Sequence, residues 1–117
     1  MTVGECQEDL IVTTIRNAPG VITVRVIGEL DIRTAPVLVK AVTDAAGERR
    51  DHLVRLDLAG VSFCDHAALR ALHAAGVAAG PERVRIVATH HAVDMLLRLC
   101  GISTFLGHPA GATFCPN

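Results

Sequence analysis

Residues 54 to 73, VRLDLAGVSFCDHAALRALH, set a strand pattern directly against a helix pattern. Val54, Leu56 and Leu58 alternate as one buried strand face does, and a Gly60-Val61-Ser62 turn is expected after them. Asp65 then opens an Ala/Leu-rich stretch in which Ala68, Leu69, Leu72, Ala75 and Ala79 recur at helical spacing. An aspartate at the head of such a stripe caps the helix, because its carboxylate accepts from the first free backbone amides. Gly80-Pro81 stops the pattern.

The flanking sequence repeats this alternation. Residues 10–16 (LIVTTIR) and 21–28 (VITVRVIG) are β-branched runs around Asn17-Ala18-Pro19-Gly20, and Pro-Gly suits the centre of a type II turn. In the second run Ile22, Val24 and Val26 form the buried face, while Val21, Thr23 and Arg25 form the wetter one. A GELD loop then leads into a helix capped by Asp31 or Thr34, with Pro36 in its first turn. Leu38, Ala41, Val42 and Ala45 are its apolar stripe and Gly47 its expected end. Residues 52–58 and 83–88 are further strands, and a helix capped by Thr89 follows. Its Val93, Leu96, Leu97 and Cys100 share a face, and Gly101 ends it. The tail from Ile102 to Asn117 reads as irregular, with one short edge strand. The order β-β-α-β-α-β-α requires an antiparallel hairpin followed by parallel strands joined through helical crossovers.

At 117 residues the chain makes one domain, residues 1–117. No apolar run reaches about 18 residues, so membrane insertion is not expected. The start, MTVGECQEDL, lacks the basic segment of a secretory signal, which points to a cytoplasmic protein. A net charge of −1 and only Phe63, Phe105 and Phe114 as aromatics argue against nucleic-acid binding. The four cysteines include no CxxC pair, so no metal site or cofactor is expected. Cys64 and Cys100 read as small core hydrophobes. Cys6 and Cys115, near the ends, are the candidates for a redox role.

The string LDLAGVSFCDHAAL resembles the LDLSGVxFxDSSGL signature of STAS domains, the family of bacterial anti-sigma factor antagonists. GELDIRTA at 28–35 is a second match, before the first helix, and the resemblance runs over about residues 10–106. It implies an α/β STAS fold, a mixed, mostly parallel sheet of about four or five strands with helices packed on it. It also implies a regulator of transcription that binds an anti-sigma factor, often a serine kinase, and frees a sigma factor by partner switching. The family's phosphorylated serine falls at His66, its second hydroxyl at Ala67 and its glycine at Ala68. The switch atom is therefore missing, and Ala68 adds a methyl where a partner backbone would approach. The partner face implied by the resemblance comprises Glu29, Asp31, Thr34, Asp65, His66, Ala67 and Leu69.

Each of these residues has a plainer reading. Asp65 is a helix cap whether or not it also faces a partner, and Glu29 and Asp31 fit a solvated loop equally well. His66 reads as polar surface, as a partner contact or as a phosphohistidine site. Ser62 reads as a turn residue or a displaced phosphosite. His90-His91 beside Asp94 reads as helix-start surface rather than a metal or base cluster, and Cys64-Asp65-His66 are sequence neighbours that need not face one another. No G-x-S-x-G, Walker loop or H-E-x-x-H is present, so catalysis is not expected. The alternative to an antagonist is a STAS subunit, never phosphorylated, of a stress-sensing or ABC-transport complex. The sequence leaves the oligomeric state open.

Overall fold

The computed structural model describes residues 2–7, 9–49, 51–80 and 82–109, with residues 2–7 and 17 described as backbone only. Five strands, β1 (Thr2–Gln7), β2 (Leu10–Ala18), β3 (Val21–Leu30), β4 (Leu53–Cys64) and β5 (Val84–Thr89), form one sheet in sequential order. β1 pairs with β2, and β2 with β3, antiparallel, whereas β3–β4 and β4–β5 are parallel. The parallel steps are bridged by α1 (Ala35–Glu48) and α2 (His66–Ala79). Two crossovers of the same hand along one direction of the sheet bring both helices to one face, where they pack side by side. α3 (His91–Leu99) packs against β4, and a small ribbon of β6 (Thr104–Phe105) and β7 (His108–Pro109) follows.

The period-2 pattern places Leu10, Val12, Ile22, Val24, Val26, Val54, Leu56, Leu58, Val84 and Ile86 in the buried layer. Leu38, Ala41, Val42 and Ala45 of α1 and Ala68, Leu69 and Leu72 of α2 close the core from above. The opposite sheet face is open, with Ile11, Ile27 and Val87 exposed and an Arg25–Asp57 ion pair at 3.3 Å. At the hairpin before β3, Gly20 has φ +75°, the positive value a type II turn demands after Pro19.

Several boundaries differ from the sequence reading. Gly60-Val61-Ser62 is strand, not turn: β4 continues to Cys64 beside Ile27 to Leu30 of β3, and shifts of register absorb the irregularity. Glu29 and Leu30 accordingly extend β3 beyond the run of 21–28 rather than belonging to a loop. Gly47 lies within α1, which ends at Glu48. His90, not Thr89, caps α3: its Nδ1 accepts from the Ala92 amide at 3.0 Å, while the Thr89 hydroxyl donates to the Asp94 carboxylate. Cys100 is exposed, because it falls just past the last turn of α3, whereas Cys64 is buried. Among its described residues, 102–109, the tail forms two short strands instead of one, and the N-terminal β1 has no counterpart in the sequence reading.

Candidate functional site

The carboxyl ends of β3 and β4 deliver the 31–34 loop and the start of α2 to one edge of the sheet, the edge where open α/β sheets bind their ligands. Asp65 joins the two segments. Its Oδ1 accepts from the Ala68 amide at 2.8 Å, which is the cap, and its Oδ2 accepts from the Ile32 amide at 3.3 Å. Its own amide donates to the Leu30 carbonyl at 3.1 Å. One carboxylate thus fixes both the helix start and the neighbouring loop. Asp65→Ala is expected to cost about 1–2 kcal/mol, the range for a lost N-cap, with Asp65→Asn retaining most of it. Urea unfolding of the two variants checks this, and a cost confined to a few tenths of a kcal/mol would remove Asp65 from its joining role.

Asp31 organises the loop itself. Its Oδ1 accepts from the Arg33 and Thr34 amides at 2.9 and 3.0 Å, and the Ala35 amide donates to its carbonyl at 2.8 Å. The Thr34 hydroxyl donates to the Glu29 carbonyl at 2.8 Å and accepts from the Asp31 amide at 2.9 Å. Neither Thr34 nor Asp31 caps α1 through its side chain: the Asp31 carboxylate is spent on the amides before the helix, and the first helical amide goes to the Asp31 backbone carbonyl. The Arg33 guanidinium bridges Asp31 and Asp9 at 3.1 and 3.0 Å, which ties in the β1–β2 turn.

Desolvation alone pushes the Asp31 carboxyl up. The Thr34 and Arg33 amides and the Arg33 guanidinium outweigh it and hold the group below its ordinary value of 3.8. A carboxylate depressed in the folded state contributes stability that is complete above its unfolded pKa and is lost as pH falls through the folded one. The loop is therefore expected to keep its order through mild acid and to loosen only below pH 3.8. Following the Asp31 carboxyl carbon by NMR during acid titration checks this, and a midpoint above that value contradicts it.

The structure brings Glu29, Asp31, Asp65, His66 and Ala67 to this edge with accessible surface, His66 exposed on the first turn of α2. Two other residues of the expected partner face are not available. Thr34 and Leu69 are 0% and 2% exposed, one locked into the loop network and the other part of the core. Ala68 is also 0% exposed, so its methyl points into the core and presents nothing to a partner. Ser62 is exposed on β4, with its hydroxyl donating to the Gly28 carbonyl at 3.4 Å. Phe63, half exposed beside Glu29, widens the edge with apolar surface that the sequence reading did not use.

Burial, with the Asp65 charge adding to it, pushes the Cys64 thiol up to about 12. It stays protonated at neutral pH and is a poor nucleophile. The side chains of Cys6 and Cys115 lie outside the described residues. Among the described residues no cluster of His, Cys, Asp or Glu has the arrangement of a metal site. Asp94 does meet a histidine, but it is His108 of β7, at 2.7 Å, and not His90 or His91. Among the described residues no helix is long and apolar enough to cross a membrane.

A family model described as Mlab, STAS domain, matches residues 13–107. The chain belongs to the STAS domain family. This STAS domain is similar to an anti-sigma factor antagonist from Mycobacterium paratuberculosis, at 31% identity over 77% of this chain and 78% of that one, with a TM-score of 0.62. The fold recurs in the anti-sigma factor antagonist SpoIIAA, solved in its unphosphorylated form, at 15% identity over 78% of this chain and 81% of that one, with a TM-score of 0.58. It recurs again in the murine anion transporter Solute Carrier 26 family member A9, at 19% identity and a TM-score of 0.57. There 71% of this chain aligns with 14% of the transporter. No curated protein sequence matches the chain.

Proposed function

We propose that this STAS domain is a cytoplasmic anti-sigma factor antagonist that binds its partner without a serine switch. The observation that carries the reading is the edge built by Asp31 and Asp65, ordered by internal hydrogen bonds and presenting His66 where the family pattern has its phosphoacceptor. The similarity to the mycobacterial antagonist supports the same role. The partner is an anti-sigma factor of the serine-kinase type, and its capture frees a sigma factor and so regulates transcription. The domain acts by binding and catalyses nothing.

Phosphorylation of a serine at the start of α2 would add close to two negative charges to the docking edge. An imidazole offers a Ser/Thr kinase no hydroxyl to modify, so the partner's kinase activity leaves this edge unchanged. Binding is then set by how much of each protein is present.

The test is affinity capture from host lysate with and without ATP, followed by mass spectrometry of the bound chains. Equal recovery of a kinase-type anti-sigma factor in both conditions is the expected result. ATP-dependent release accompanied by phosphoserine at Ser62 would replace the reading with a displaced switch. Recovery of transporter or stress-complex subunits in place of an anti-sigma factor would overturn it in favour of a STAS subunit.

A further inference from the structure

Concavities flank α2 on both sides, and their linings differ in chemistry. The one between α1 and α2, about 540 Å³, is walled by alanines, and its arginine, Arg83, is engaged by backbone carbonyls. Another, about 490 Å³, lies beside β5 and the β6–β7 turn and has both Arg85 and Glu82 in its lining. The groove between α2 and the 102–105 segment, about 450 Å³, combines His66, Arg70 and His73 with Leu69, Ile102 and Phe105, and no carboxylate lines it.

This combination follows from the helix register. Positions 66, 70 and 73 are spaced i, i+4, i+7 and fall on one stripe of α2. The opposite wall is held by the Ile102 amide donating to the Leu97 carbonyl at 2.8 Å and the Ile86 amide donating to the Leu106 carbonyl at 3.0 Å. The His73 ring lies against Phe105, with centroids 6.1 Å apart. Among the described residues the Arg70 side chain makes no hydrogen bond or ion pair. A free guanidinium above an apolar floor, in a groove of this size, matches a small ligand with one anionic end and one apolar end.

We propose that this groove binds a small amphiphilic anion, a carboxylate or phosphate monoester carrying a short apolar chain. The head group takes paired hydrogen bonds from the Arg70 guanidinium, with the His66 and His73 rings beside it. The chain lies along the half-buried Ile102, at the rim where the core residues Leu69 and Phe105 reach the groove with only a sliver of surface. Such a head and tail occur both on a free amphiphile and at the surface of an anionic lipid layer. The site does not rest on the partner-docking reading, although His66 belongs to both surfaces.

The experiment is an NMR titration of the full chain with octyl phosphate as monomer, with octanol and inorganic phosphate as half-ligand controls. Saturable shifts at His66, Arg70, His73 and Phe105 are expected, with each control at least about tenfold weaker. Arg70→Glu should weaken octyl phosphate by at least about tenfold and Arg70→Gln by less, while Arg85→Glu in the neighbouring concavity leaves it unchanged. Arg70 is exposed, so both variants should fold. Sedimentation with phosphatidic acid and phosphatidylcholine vesicles separates the sources. Binding of monomer assigns a free amphiphile, and Arg70-dependent binding of phosphatidic acid vesicles alone assigns a lipid surface. Absence of saturable shifts and of vesicle binding overturns the site, as does an Arg70→Glu affinity equal to the parent's.

Discussion

Gly28→Ala is expected to destabilise the domain by about 3 kcal/mol or more, through two costs that add at one atom. Gly28 has φ +121°, a conformation that residues with a Cβ rarely adopt. A Cβ built there would stand 2.2 Å from the Asp9 carbonyl oxygen, and 3.1 and 3.2 Å from the Asp9 carbonyl carbon and Leu10 Cα. These are backbone atoms, so no side-chain rotation relieves the overlap. The Asp9 carbonyl is held against this spot by the Glu29 amide, which donates to it at 2.8 Å. Any relief must therefore move the β1–β2 turn, and with it the Arg33–Asp9 bridge that braces the 31–34 loop. Urea unfolding should show a lower midpoint at unchanged slope, and amide shifts should spread to Asp9, Glu29 and Arg33. Gly47→Ala is the control. It sits inside α1 with open space around its Cβ position, and should be neutral or stabilising by up to about 1 kcal/mol. A Gly28→Ala protein as stable as the parent would mean that the close crossing does not exist.

The elements whose pattern is local were legible from the residues alone. Alternation in 21–26 and 54–58 predicts the strand faces, and the stripes of α1 and α2 predict the residues that close the core. The Asp65 cap was equally readable, because a cap needs only a helix stripe and a carboxylate in front of it. What escaped were decisions made between distant segments. Gly60-Val61-Ser62 has turn chemistry, yet its backbone is held in the sheet by β3, about thirty residues earlier in the chain. Gly47 looks like a helix stop, yet α1 runs through it and its terminal carbonyls are taken by an arginine far along the sequence. Asp31, Asp65 and His66, which the motif groups together, do lie at one edge of the sheet, but the motif does not say which of their neighbours are buried. Leu69, Ala68 and Thr34 face inward because a helix start and a tight loop each show only part of their circumference to solvent. The Arg70 groove was invisible for a related reason: its far wall comes from a tail without periodicity.

That distant arginine carries the second large effect. Arg83 lies just before β5, and its guanidinium donates to the carbonyls of Ala46 at 2.9 Å, Arg49 at 2.7 Å and His52 at 2.9 Å through Nη2. Nη1 reaches the Ala79 carbonyl at 3.1 Å, and Nε a second time to His52 at 3.2 Å. One side chain therefore closes the carboxyl ends of α1 and α2 and the entry to β4, where unpaired carbonyls and the negative end of each helix dipole converge. Arg83→Met keeps the stem and removes the donors. Each charge-assisted bond is worth about 1.5–3 kcal/mol, but carbonyls at this half-exposed site regain water when released, so the loss falls well short of the sum. A cost of about 3 kcal/mol is expected, seen as a fall in melting temperature on the order of 10 °C. Arg83→Lys should recover less than half, because a single ammonium cannot span carbonyls from three segments as the planar fork does. Calorimetry on the three proteins decides the matter. If Arg83→Met melts within about 2 °C of the parent, the helix ends are held by packing alone.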